Sequence, residues 1–210
     1  MRIALLGAES TGKTALAEAL AAHFNASGRT AIAVPEVLRE WCVRHGREPR
    51  PEEQLAIAHE QERRADEAAT RAELVIADTT ALMGAIYAAM LYEDDPLYRF
   101  AMESQRRYDT TLVMGLDLPW VADGLHRQGP QVRDEVDACV RAELARAGVP
   151  YRVIYGDGAQ RMASALAAVN AAPQTQTAPP RGDAAWVWNC DKCSDPECEH
   201  RLFSRMLRPR

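Results

Sequence analysis

Near the amino terminus, Gly7-Ala8-Glu9-Ser10-Thr11-Gly12-Lys13-Thr14 fits G-x-x-x-x-G-K-[ST] along its whole length. A glycine at each end lets the backbone turn tightly, so that successive N–H groups point inward at an anion. The helix that follows adds the partial positive charge of its N-terminus. Lys13 then reaches the β- and γ-phosphates of ATP or a close analogue, and the Thr14 hydroxyl is placed to coordinate Mg2+. Gly7, Glu9, Ser10, Thr11, Gly12, Lys13 and Thr14 are therefore the candidate nucleotide-binding residues. The motif requires a strand before it and a helix after it, and both are legible. Residues 2–6 are a short apolar run, and Leu16, Leu20 and Phe24 with Ala17 and Ala21 form a stripe at i, i+4 spacing over 13–26.

The rest of the chain repeats that alternation. Apolar β-rich runs at 2–6, 30–34, 74–77, 111–115 and 151–155 alternate with helical patterns. Helices are expected at 13–26, 36–45, 51–72, 80–92, 96–107, 130–147 and 158–171. Pro51 suits the first turn of the third of these. Such stacked βα units predict a three-layer α/β/α fold around a mostly parallel five-stranded sheet. The apolar periodicity stops after Ala172, and residues 173–185 read PQTQTAPPRGDAA, a linker and a natural domain boundary. The expected organisation is a phosphate-binding domain over 1–172, a linker over 173–185 and a small Cys/His segment over 186–210.

Two carboxylates sit where a parallel sheet opens its crevice. The run Leu74-Val75-Ile76-Ala77 ends in Asp78, the position from which a carboxylate holds Mg2+ directly or through water. Asp78 as a cap for the next helix is the plainer alternative. Glu36 follows the second run, placed either as general base for an acceptor hydroxyl or as a helix N-terminal carboxylate. Arg39, one turn on, is placed to neutralise an acceptor or to pair with Glu36 at i, i+3.

Bulk properties narrow the class. The 210 residues are 47% hydrophobic and 26% charged, an ordinary globular composition. A formal net charge of -5 argues against nucleic acid as a general partner. No run has the length of a membrane span, and no apolar leader with a cleavage site opens the chain, so the expected location is the cytosol. There the five cysteines form no disulfide framework. Cys42 and Cys139 read as buried free thiols within helices.

The other three cysteines crowd together. Cys190, Cys193, Cys198 and His200 follow the spacing C-x2-C-x4-C-x-H, a tetrahedral set for a structural Zn2+. A disordered tail and a reversible dithiol are the alternatives. The segment opens with Trp186 and Trp188 and ends with Arg201, Arg205, Arg208 and Arg210. With zinc bound it would be a docking module for a protein partner, whereas stacking on nucleic acid through the tryptophans is the weaker option.

Taken together, GAESTGKT, Glu36 with Arg39-Glu40, Gln61 in a charged helix, Asp78-Thr79, Tyr108-Asp109 and the segment Pro119-Trp120-Val121-Ala122-Asp123-Gly124-Leu125 carry a family resemblance. Over about residues 1–170 the chain resembles the ribosylnicotinamide kinase domains of NadR-type regulators and their AAA_28-type P-loop relatives. The resemblance implies ATP- and Mg2+-dependent phosphorylation of the 5′-hydroxyl of nicotinamide riboside. It places ATP and Mg2+ at Gly12, Lys13, Thr14 and Asp78, and the small-molecule acceptor near Glu36 and Arg39. It makes Trp120 to Arg127 a loop closing over the phosphates, with Trp120 and Asp123 facing substrate and Arg127 bringing a cation. Trp120 as a hydrophobic turn that packs the sheet end is the alternative.

Three positions depart from the family pattern. His126 stands where relatives have arginine, and Arg127 follows one residue later. Pro35 replaces an aromatic suited to stacking on a pyridinium. Thr80 replaces a second carboxylate, in Asp78-Thr79-Thr80. A regulatory or assembly ATPase is the competing class, because Pro35 and Thr80 fall on the acceptor side of the site.

Overall fold

The computed structural model describes residues 1–88, 96–121 and 132–171. Its strands are β1 (Arg2–Leu6), β2 (Ala31–Val34), β3 (Leu74–Asp78), β4 (Thr110–Met114) and β5 (Arg152–Ile154). They pair in the order β2-β3-β1-β4-β5, all parallel, as the alternating pattern predicts. The helices are α1 (Lys13–Ala26), α2 (Val37–His45), α3 (Pro51–Ala69), α4 (Ala81–Tyr87), α5 (Pro96–Gln105), α6 (Val132–Arg146) and α7 (Gly158–Asn170). Among the described residues no helix is long and apolar enough to cross a membrane.

Side chains alternate across the sheet and bury both faces. Ile3, Leu5, Leu112 and Met114 pack with Leu16, Leu20 and Phe24 of α1 and Ala165 and Val169 of α7. On the other face Leu6 and Val113 pack with Leu82, Met83 and Ile86 of α4, Leu97 and Met102 of α5, and Val136, Val140 and Leu144 of α6. These are the three expected layers.

Element ends move by one to three residues from the sequence reading. β3 runs one residue further, through Asp78, which pairs in register with Leu5 of β1. The third helix ends at Ala69 rather than 72, where Thr70 and Arg71 turn back onto the Glu67 and Ala68 carbonyls. At its start Pro51 occupies the first turn and the Glu53 carboxylate accepts the Arg50 N–H at 2.7 Å. The expected helix over 80–92 is described as far as Ala88 and is helical to Tyr87. The linker and the Cys/His segment, with Cys190, Cys193, Cys198 and His200, lie outside the described residues, as do Asp123 and Arg127.

Candidate active site

β1 is central, and the phosphate loop leaves its carboxyl end flanked by the ends of β3 and β4. That is where an open parallel sheet binds ligands. Both motif glycines have left-handed backbones, φ +139° at Gly7 and +79° at Gly12. A Cβ at Gly7 would stand 3.1 Å from the Met114 Cβ and 3.2 Å from the Met114 backbone N and O. One at Gly12 would stand 3.1 Å from Leu118 Cδ1. Glycine is thus required twice over, by conformation and by space.

The loop is tied down from inside. Thr11 is fully buried, and its hydroxyl donates to the Ala8 carbonyl at 2.7 Å. The Lys13 ammonium donates to the Gly7 and Ala8 carbonyls at 2.8 Å each, lying back across the loop. Glu9 and Ser10 are half-buried on its outer side, where the Ser10 hydroxyl donates to the Val121 carbonyl at 2.8 Å.

Asp78 meets this loop from β3. Its Oδ2 accepts the Thr14 hydroxyl at 2.6 Å, whereas its Oδ1 is buried with no partner among the described residues. Asp78 does not cap α4: the cap is Thr80, whose Oγ accepts the Leu82 N–H at 3.3 Å. Burial pushes the Asp78 carboxyl above its ordinary range, and the Glu36 charge pushes the same way. The Thr14 hydroxyl, Lys13 and Arg39 pull it down. Four predicted site residues thus converge on the carboxylate of a fifth. A buried carboxylate with one free oxygen, beside a threonine hydroxyl, fits the oxygen-donor demands of Mg2+. No group of three or more His, Cys, Asp or Glu side chains suited to a metal occurs among the described residues.

Glu36 precedes α2 but makes no side-chain cap bond to it. Instead its Oε2 accepts from Arg39 Nε at 3.2 Å, the predicted i, i+3 pair. Glu36 also lines a small recess, partly open to solvent, beside the Asp78 strand end. Ile57, Ala58 and Met83 form an apolar wall, while Gln54, Thr79 and Tyr87 supply polar groups. Trp120 is half-buried, with its indole N–H buried and unpartnered among the described residues.

Several residues of the site stand outside the phosphate-loop motif, Gln61 among them although it contributes to the family resemblance. Gln61 and Glu62 are consecutive on α3 and almost fully buried. Gln61 Oε1 accepts the Val37 N–H at 2.8 Å and its amide donates to the Pro35 carbonyl at 3.3 Å, which grips the turn bearing Glu36. Glu62 accepts the Ala81 N–H at 2.9 Å and the Tyr108 hydroxyl at 3.1 Å, which grips the turn after Asp78. On α7, the buried Arg161 donates to the Thr11 carbonyl at 2.9 Å, the Gly156 carbonyl at 2.7 Å and Asp117 at 2.7 Å. At the start of α6, Arg133 donates to the Leu118 carbonyl at 3.0 Å, while its Nε and Nη2 lack partners among the described residues. All four share one signal, a polar side chain on a helix's apolar stripe. Gln61 and Glu62 stand among Ile57, Ala58, Ala65 and Ala68, Arg161 with Ala165 and Ala168, and Arg133 with Val136 and Val140. Tyr108 and Asp109 sit at the other end of β4, where Asp109 accepts the Arg2 N–H at 2.7 Å.

The model of the AAA_28 family, described as an AAA domain, matches residues 2–161. Among solved structures, a NadR protein in complex with NR superposes with a TM-score of 0.62 at 22% identity, covering 80% of this chain and 48% of that one. A NadR protein in complex with NAD and AMP-PNP gives 0.60 at 23%, with the same coverage of 80% and 48%. A thymidylate kinase from Ehrlichia chaffeensis gives 0.54 at 14%, covering 80% of this chain and 96% of that one. The chain spans about half the length of the NadR proteins it matches. No curated protein sequence matches it. With the phosphate loop on the central strand, Asp78 on its neighbour and a family match across three quarters of its length, the chain belongs to the AAA_28 family.

Proposed function

We propose that the protein transfers the γ-phosphoryl group of ATP to a hydroxyl of a small nucleoside-like acceptor, with nicotinamide riboside the first candidate. The observation that carries this reading is the placement of two carboxylates around one phosphate loop. Asp78, with one oxygen unpartnered among the described residues, stands against Thr14, and Glu36 lines the adjoining recess. A nucleotide hydrolase needs the first. The second, paired with Arg39 and facing an apolar-walled recess, supplies what an acceptor hydroxyl requires.

Thr14 and Asp78 would hold Mg2+, which neutralises charge on the transferring group. Lys13 leaves its two carbonyl partners for the phosphate oxygens, and the loop N–H groups cradle the remainder. Glu36 accepts the proton as the acceptor oxygen bonds to the γ-phosphorus, and the bond to the bridging oxygen breaks to leave ADP. Trp120, Asp123 and Arg127 belong to the segment proposed to cover the phosphates and exclude water.

Incubating the protein with ATP, Mg2+ and a nucleoside panel headed by nicotinamide riboside tests this, with products read by mass spectrometry. The expected result is one monophosphate, absent with Lys13→Ala. A panel that yields none overturns the kinase reading. It would leave the ATPase with a protein partner, which Thr80 favours: it is 2% exposed and spent on Gln105 rather than facing an acceptor. For the Cys190, Cys193, Cys198 and His200 set, we propose a structural Zn2+. Metal analysis is expected to show about one zinc per chain, lost with Cys193→Ser.

A further inference from the structure

Thr79 lies between the carboxylate of Asp78 and the helix cap of Thr80. Its φ is +79°, in the left-handed region where a β-branched side chain is least tolerated. The residue is 5% exposed, and its hydroxyl is buried with no partner among the described residues. Two separate costs therefore fall on one side chain, and nothing around it offsets either.

The surroundings hold that conformation rigidly. The Thr79 N–H donates to the Leu5 carbonyl at 3.2 Å, anchoring the turn to the central strand. One residue on, the Thr80 hydroxyl donates to Gln105 at 2.7 Å, and the Ala81 N–H is held by Glu62 at 2.9 Å. A strained residue over-determined on both sides is how folds preorganise a group for a ligand. Thr79 also lines the same recess as Glu36.

We infer that Thr79 is an acceptor-binding residue, whose hydroxyl orients a hydroxyl of the substrate while Glu36 takes its proton. This rests on the kinase reading above. The ligand chemistry follows from what each group can do. Glu36 as carboxylate only accepts, whereas the Thr79 hydroxyl both donates and accepts. Together they suit a compact polyol such as a ribose, with one hydroxyl on Glu36 and that oxygen, or its neighbour, on Thr79.

The test is steady-state kinetics of Thr79→Val, Thr79→Ser and Thr79→Gly on the acceptor that the wild type uses, together with thermal unfolding. Valine keeps the shape and the β-branch and removes only the hydroxyl. Its acceptor kcat/KM is expected to fall about tenfold or more, with the ATP KM unchanged. Its Tm is expected to equal or exceed wild type, because a buried unpaired hydroxyl has been replaced by a methyl group. Serine is expected to recover most of the loss. Glycine, which relieves the backbone strain, is expected to be more stable and equally impaired, so the kinetic defect cannot be a folding defect. Wild-type kcat/KM for the acceptor in the valine variant, or equal losses for acceptor and ATP, would overturn the assignment. A wild-type protein with no acceptor-dependent turnover at all would instead bring down the kinase reading, and Thr79 with it.

Discussion

The two oxygens of Asp78 do different work. Oδ2 is held by the Thr14 hydroxyl, which leaves Oδ1 without a partner among the described residues. Its carboxyl is raised by burial and by the Glu36 charge, so it takes a proton more readily than an exposed aspartate. Metal binding needs the carboxylate, so Mg2+-dependent nucleotide affinity is expected to weaken as pH falls toward that raised value. Asp78→Asn is expected to remove the Mg2+ dependence at every pH, read by titrating a nucleotide analogue with and without the metal. Stability runs the other way. A folded-state value above the unfolded one means the folded chain binds more protons, so this group's contribution declines as pH rises through the window between them. Without metal and above that window, Asp78→Asn is expected to unfold at the same temperature as wild type or higher. Lys13, Thr14 and Asp78 were legible as candidates in the sequence, through the loop motif and the apolar run that ends at Asp78. Thr79 was not, because nothing in a sequence reports a positive φ at a threonine.

At the scale of elements, α3 decides the geometry. Gln61 and Glu62, neighbours on one turn, hold the backbones of two different strand-end turns, and those turns carry Glu36 and Asp78. The spacing of the two carboxylates is thus set by a helix that carries neither. Burial pushes the Glu62 carboxyl up, against the pull of the Ala81 N–H and the Tyr108 hydroxyl. By the same sign, its charged form costs stability at neutral pH and above. Glu62→Gln can keep both bonds, with its oxygen accepting from Ala81 and its amide facing Tyr108, while removing the buried charge. It is expected to be neutral or to stabilise by about 1 kcal/mol at pH 8, with the difference shrinking as pH falls, in urea titrations. Gln61→Leu leaves the buried Val37 N–H without its acceptor and is expected to cost about 1–3 kcal/mol. The sequence announced α3 through Pro51 and its charge. It also held Gln61 and Glu62 on the apolar face, the kind of anomaly that marks a buried polar contact. What they touch was hidden, because the contact needs the order of the strands.

For the whole molecule, that order is the decisive fact. Periodicity predicts five parallel strands and their approximate bounds, but the placement of β3 beside β1 is a long-range choice. Sheet order depends on which faces bury against which, and local pattern does not encode it. Once β3 is next to β1, Leu5 pairs with Asp78 and the carboxylate reaches the phosphate loop without further adjustment. The central claim is that this arrangement serves transfer to an acceptor rather than hydrolysis, and ADP release against acceptor concentration tests it most directly. A saturable rise from a low baseline is expected, lost with Lys13→Ala and reduced about 100-fold or more in kcat with Glu36→Gln. ADP release that is the same at every acceptor concentration, and indifferent to Glu36→Gln, would contradict it.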